Sequence, residues 1–246
     1  MTNTTQLVAI VTGASRGIGA AIAERLAKDG YAVLINYSRA DDEAEVLVRK
    51  IQQAGGNALS AKGDISDPAT VAQLFAKAET AFGGVDILVN NAGIMSLSTI
   101  ADSDDEHFDR QIAINLKGSF NGMREAAKRL RNGGRIVNFS TSVVGLKLEK
   151  YAVYAATKAA VETMTAILAK EMRGRNITVN AVAPGPTATD LFLNGKSTEL
   201  IEKMAKMAPL ERLGTPEDIA AAVSFLVGKD GGWINGQVLR ANGGLI

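Results

Sequence analysis

The stretch Leu7-Val8-Ala9-Ile10-Val11-Thr12-Gly13-Ala14-Ser15-Arg16-Gly17-Ile18-Gly19-Ala20 decides the architecture. Its five leading apolar residues read as a strand buried on both faces, and a helical spacing of apolar residues follows directly, over 17–29. A strand that turns straight into a helix opens a β-α unit, and the same alternation runs to the far end of the chain. Further strands are read at 32–35, 58–61, 87–89, 136–139, 178–183 and 237–240. Helices are read at 41–54, 68–82, 106–131, 151–173 and 216–227, the first of these opened by Asp41 and Asp42 and the last by Pro216, Glu217 and Asp218. Apolar strands joined by crossover helices predict an α/β chain with a doubly wound parallel sheet of seven strands and helices on both faces. No fixed repeat or linker divides it, so residues 1–246 read as one domain. The segment 186–214, with Pro186, Gly195, Pro209 and Gly214, reads as a lid-like insertion over one end of the sheet.

Composition narrows the chemistry. The chain has 246 residues, 46% hydrophobic and 22% charged, enough to bury a sizeable core. Lys plus Arg number 27 against 26 Asp plus Glu, and the resulting net charge of +1 is too small to hold nucleic acid or anionic lipid by bulk field. The absence of cysteine removes disulfides, thiol nucleophiles and thiolate metal sites, and a single histidine, His107, leaves no His-rich metal site. No metal is expected. Residues 1–6 are polar and uncharged and no apolar run reaches about 18 residues, so neither an export signal nor a membrane span is expected, and the cytosol is the default location.

The glycines of the first turn follow the order Gly13-x-x-x-Gly17-x-Gly19. Such a turn brings backbone N–H groups and the positive end of a helix dipole against a pyrophosphate that leaves no room for a Cβ. In the first β-α unit of a doubly wound, Rossmann-type sheet it points to a dinucleotide, although its spacing departs from Gly-x-Gly-x-x-Gly. Together with Asn90-Asn91-Ala92-Gly93 after the fourth strand, Tyr154-x-x-x-Lys158, and Pro184-Gly185 after the sixth, the turn resembles the classical short-chain dehydrogenase/reductase family in order and over nearly the whole chain. The resemblance implies cofactor contacts from Gly13, Ser15, Arg16, Gly17, Ile18 and Gly19, from Asn91, Ala92 and Gly93, and from Tyr154, Lys158, Pro184 and Gly185. By the same resemblance Asp64-Ile65 meets the adenine, and Thr187 with Thr189 holds the nicotinamide carboxamide.

The second strand ends in Asn36-Tyr37-Ser38-Arg39, where an acidic residue would accept from the adenosine ribose and repel a 2′-phosphate. Arg39, beside Ser38, and Arg16 offer two guanidinium forks to that phosphate, so NADP(H) is favoured over NAD(H); the alternative pairs Arg39 with Asp42 or Glu43 on the next helix.

Tyr154 and Lys158 stand four apart on one helix face, so an ammonium is expected to lower the phenol's pKa and make it a usable acid and base. Tyr151 has Ala155 four residues on and reads as a pocket wall. Of the hydroxyls Ser140-Thr141-Ser142, the resemblance selects Ser142, directly before Val143-Val144-Gly145, as the hydrogen-bond donor to the substrate oxygen. Its interval of 12 to Tyr154 is short for the family and leaves Ser140 or Thr141 open. Asn115 matches the family's helix asparagine, implied to hold a water that links Lys158 to solvent; the other reading is a buried amide that satisfies a local backbone distortion.

Met95, Val144, Leu146, Tyr151, Leu191 and Phe192 flank these motifs and read as walls of a mainly apolar substrate pocket. His107, among Asp102, Asp104, Asp105 and Glu106, reads as a solvated residue at a helix end. The basic run Lys128, Arg129, Arg131 and Arg135 reads as the complement of a helix C-terminus. The expected function is an NADPH-dependent carbonyl reductase, reversible as an alcohol dehydrogenase, working on a small-molecule substrate through Tyr154, Lys158, Ser142 and Asn115, with homotetrameric assembly implied by the family. Two rivals are a 3-oxoacyl-carrier-protein reductase, which would use the basic run as its docking patch, and a nucleotide-sensing module without turnover.

Overall fold

The computed structural model describes residues 6–246; the reading of residues 1–5 as carrying no leader lies outside the described residues. Along the chain run β1 (Val8–Val11), α1 (Gly17–Lys28), β2 (Ala32–Tyr37), α2 (Asp41–Gln53), β3 (Asn57–Lys62), α3 (Pro68–Phe82), β4 (Ile87–Asn90) and α4 (Asp105–Gln111). A π-helical segment (Ile112–Gly118) leads into α5 (Ser119–Arg129), β5 (Arg135–Phe139), α6 (Val143–Leu146) and α7 (Ala152–Glu171). Then follow β6 (Thr178–Pro184), α8 (Asp190–Leu193), α9 (Thr198–Met207), α10 (Pro216–Val227) and β7 (Val238–Ala241). The strands form one parallel sheet in the order β3-β2-β1-β4-β5-β6-β7, with Val11 beside Ile35 on one side and Val89 on the other. Crossovers leave in opposite directions from β1 and β4, which opens a crevice at their carboxyl ends.

Strand alternation divides the core. Val8 and Ile10 face a layer containing Leu74 and Phe75 of α3, Met123 of α5 and Leu168 of α7, whereas Ala9 and Val11 face Ile22 and Leu26 of α1 and Ile219 and Val223 of α10. Each fully buried Ile or Leu contributes about 1.5–3 kcal/mol of transfer free energy.

The helix read over 106–131 is in fact three pieces. Gln111 and Asn115 are wholly buried and their amides reach sideways to the loop after β4, while the Ser119 hydroxyl caps the Asn115 carbonyl at 2.8 Å. The widened π turn accommodates these inward amides and sets Gly118 against Ile65 and Gly122 against Asn90, where an added Cβ would lie 2.5 and 2.2 Å from the opposing side chain. The segment 186–214 carries α8 and α9, and a bridge between Thr187 and Gly214 ties its two ends together.

Candidate active site

The glycine turn is built by close approach. A Cβ on Gly13 would lie 2.7 Å from Ala92 Cα and one on Gly19 would lie 2.5 Å from Gly13 O, while Gly13 and Gly17 hold φ of +61° and +57° that only glycine adopts without strain. Thr12 and Asn91 lock the turn to β4: the Thr12 hydroxyl accepts from the Asn91 and Ala92 N–H groups, and Asn91 Nδ2 donates to the carbonyls of Thr12 and Gly13. By contrast with α3, capped by Asp67, and α10, held by a Thr215–Asp218 capping box, α1 starts at Gly17 with no side-chain cap and no acid in its first turn. Its free N–H groups face the crevice, an arrangement that suits an anion. These features fit a dinucleotide pyrophosphate.

From this turn a cavity of about 770 Å³ runs to the segment 186–214. At one end lie Ser38, Arg39 and Arg16, and among the described residues neither arginine joins an ion pair. Arg39 therefore does not pair with Asp42 or Glu43; the carboxylate beside it, Asp41, is taken by Lys62 at 2.8 Å and by the Tyr37 hydroxyl at 3.0 Å. Asn36 is buried and gives its amide to the carbonyls of Ala61 and Gly63, so no acid stands at the end of β2. Asp64, Ile65, Asn91, Ala92, Gly93, Pro184, Gly185, Thr187 and Thr189 all line the same cavity, as the motifs require of cofactor contacts. Gly17 sits within 3.6 Å of Thr189, counted from an added Cβ, so the segment after β6 leans over the glycine turn.

At the other end α7 presents Tyr154 and Lys158. Its alanine-rich sequence favours helix, and the four-residue interval puts both side chains on the face turned to β5. Lys158 is buried and donates to the Phe139 carbonyl at 2.9 Å, with its ammonium 6.0 Å from the centre of the Tyr154 ring. Burial weakens the charged form of each group. It pushes the Tyr154 phenol up to about 12, against a smaller lowering by the Thr141 hydroxyl, and brings the Lys158 amine down to about 8. In the protein alone, desolvation thus opposes the lowering expected from the ammonium, which is aimed at a carbonyl.

The three hydroxyls of 140–142 part company. Ser140 donates to Glu162 Oε1, and Ser142 donates to the Ala183 carbonyl at 3.3 Å and accepts from Asn242 Nδ2 at 3.0 Å. Thr141 Oγ1 accepts from the Val143 N–H at 3.3 Å. Ser142, selected from the sequence as the oxygen donor, lines the cavity together with Ser140 and Thr141, its hydroxyl held between Ala183 and Asn242. Asn115 spends its side chain on Ile94, accepting from its N–H at 2.8 Å and donating to its carbonyl at 2.9 Å. Of the two readings of this residue, the geometry favours the amide that satisfies a distorted backbone.

Met95, Leu146, Tyr151, Leu191 and Phe192 line the cavity but Val144 does not. In the single turn of α6, residues 143 and 146 share a face and 144 is rotated off it, so Val143 is the wall. Met204 of α9 and Leu245 also line it; both lie far in sequence from any motif and carried no local signal. His107 is half-buried, its Nε2 3.0 Å from the Ser96 carbonyl, and is not the solvated residue expected from its acidic neighbours, which point elsewhere. Lys128 and Arg129 of the basic run lie in the last turn of α5, at the helix end where the run was expected, and its arginines also take local partners. Arg129 grips Glu79 of α3 through two nitrogens, Arg131 grips Asp86, and Arg135 bonds the carbonyls of Gly133 and Gly134.

Comparison with known proteins gives concordant results. A family model described as enoyl-(acyl carrier protein) reductase matches residues 13–246. A short-chain type dehydrogenase/reductase of Picea abies is 49% identical over 249 residues, covering 97% of this chain and 92% of that protein. NADPH-dependent aldehyde reductase 2, chloroplastic, of Arabidopsis thaliana is 48% identical over 254 residues, covering 97% and 93%. Among solved structures, a short chain dehydrogenase from Burkholderia cenocepacia in complex with NADP superposes with a TM-score of 0.92 at 37% identity, covering 99% of each chain.

Proposed function

The chain belongs to the short-chain dehydrogenase/reductase family, and from that premise we propose that it reduces small, mainly apolar aldehydes and ketones with NADPH and oxidises the matching alcohols in reverse. It is an oxidoreductase of the NADP-dependent kind, as its NADPH-dependent aldehyde reductase relatives and NADP-bound structural neighbours are. The observation that carries the substrate reading is the placement of the Tyr154 phenol, with Lys158 on the same helix face, beside the hydroxyl run 140–142 in one cavity with apolar walls.

The glycine turn and the start of α1 would hold the pyrophosphate, Arg16, Ser38 and Arg39 the 2′-phosphate, Asp64 and Ile65 the adenine, and Thr187 and Thr189 the carboxamide. When bound, NADPH supplies the hydride. Tyr154 donates its hydroxyl proton to the carbonyl oxygen as negative charge develops there, and burial suits this task because it keeps the phenol protonated throughout the neutral range. Ser142, on the hydroxyl run that lines the same cavity, holds the same oxygen and fixes its angle to Tyr154. Lys158, protonated below about 8, stabilises the phenolate left behind and returns a proton to it. Asn115 fixes the loop that carries Gly93, where an added Cβ would lie 3.2 Å from Asn115 Oδ1 and 3.4 Å from Lys158 Nζ, so the backbone here passes close beside the amine.

A carrier-protein reductase is disfavoured as the activity because Arg129 and Arg131, the cations such a partner would seek, are already engaged by carboxylates. Homotetrameric assembly and a cytosolic location belong to the same proposal; among the described residues no helix is long and apolar enough to cross a membrane. The test is NADPH and NADH consumption with a panel of aldehydes and ketones. Turnover with NADPH that is lost in Tyr154→Phe supports the reading, and undiminished turnover in that variant overturns it.

A further inference from the structure

The chain's one histidine is built into a feature that the mechanism leaves unused. His107, Gln111 and Asn115 are spaced four residues apart and come to the same side of the α4 and π-helical run, where all three grip the loop after β4. Asn115 takes both backbone groups of Ile94, Gln111 Oε1 accepts from the Ser96 N–H at 3.4 Å, and His107 Nε2 lies 3.0 Å from the Ser96 carbonyl. A carbonyl only accepts, so the Ser96 contact is made by the Nε2–H form of the ring; Gln111 Nε2 stands 3.2 Å from the same nitrogen and would donate to it only in the other tautomer. Alternate residues of an extended chain turn their backbone groups to the same side, and with 94 and 96 clipped to the helix, Met95 between them lines the cavity.

The two ends of the clip face different business. At the Asn115 end lies Gly93, in reach of Lys158, where cofactor and catalysis meet. At the His107 end Ser96 continues to Ser98, whose N–H donates to the Lys150 carbonyl at 3.1 Å and so joins this wall to the one that carries Tyr151. Gln111 is wholly buried, which makes the middle of the clip rigid.

We propose that His107 and Gln111 are positioning residues that hold Ser96, and through it the Met95 wall, and thereby set which carbonyl compounds fit. The proposal rests on the carbonyl-reductase reading above. The experiment compares the parent protein with His107→Leu, which removes the hydrogen bond, and His107→Gln, whose amide can restore a donor to Ser96. Each is assayed for kcat and KM over aldehydes of increasing chain length and for NADPH affinity by fluorescence titration. In His107→Leu the KM for compact aldehydes rises about 10-fold and the preference among chain lengths flattens, while kcat and NADPH affinity stay within about 2-fold; His107→Gln recovers most of the loss. A folded His107→Leu protein with parental KM and chain-length preference overturns the proposal, as does a parallel fall of NADPH affinity and kcat that His107→Gln does not reverse. If His107→Leu fails to fold, His107→Asn, too short to reach Ser96, carries the same expectations. A parent that turns over none of the panel overturns the carbonyl reading along with this one, whereas an active parent matched by its variant overturns only the positioning role.

Discussion

Tyr154 and Lys158 show one cause acting on opposite charges: removal from water raises the acid that would become an anion and lowers the base that would become a cation. The consequence for rate is directional. Carbonyl reduction, which needs a protonated phenol and a charged amine beside it, should hold steady near pH 7 and fall as pH rises through about 8, while alcohol oxidation rises over the same interval. Steady-state kcat profiles in both directions check this, and a reduction rate that climbs above pH 8 contradicts it. Stability follows with the sign of a depressed amine. Below about 8 the amine is charged in both states and the folded protein bears the full cost of its burial; between about 8 and 10.5 only the unfolded chain keeps the proton, so the cost fades. Lys158→Met should therefore raise unfolding stability at pH 7 by an amount on the order of 3 kcal/mol, lose most of that gain near pH 10, and abolish turnover. Urea unfolding at the two pH values measures it. The choice among the hydroxyls is also open to test: Ser142→Ala should lower kcat by about 10²-fold and Thr141→Val by far less, and the opposite ranking would move the role to Thr141.

Among the elements, the glycine turn and the broken helix carry the most information. Gly19→Ala places a methyl 2.5 Å from both a backbone carbonyl and the Asn91 amide, neither of which is free to move, so NADPH affinity should fall by more than about 10-fold. Gly30→Ala is the control. Its φ of +97° strains an alanine but nothing lies within 4 Å, so about 1 kcal/mol of stability should be lost with NADPH affinity intact. Equal effects of the two substitutions on a binding titration would remove the turn from the cofactor site. The glycine turn was legible because its demands are local: a tight βα connection requires small residues wherever it forms. The break in the helix over 106–131 was not, because Gln111 and Asn115 acquire their reason for pointing inward only when the loop at Ile94 and Ser96 lies beside them. His107 was misread for the same reason.

For the whole molecule, the exposed large apolar residues include Phe108 of α4, Phe120 of α5 and Ile167 of α7, and Trp233, 99% exposed, with Leu239 of β7. If the helix residues and the Trp233 region each cover a copy of the chain, four chains close the assembly, and sedimentation should report a tetramer that Trp233→Ser shifts toward dimers. A monomer at micromolar concentration would contradict the assembly. The seven strands, their parallel arrangement, the glycine turn and the Tyr154–Lys158 pair were determined by the sequence alone, since each follows from a periodicity or an interval within one element or one connection. Which partners the hydroxyls of 140–142 take, which face of α6 forms the wall, which carboxylates Arg129 and Arg131 grip, and in which direction burial moves the two titrating groups were decided only by the tertiary structure. Those properties depend on which neighbours surround a side chain and how much water they exclude, and the neighbours come from segments as distant as β5, α7 and the residues after β7.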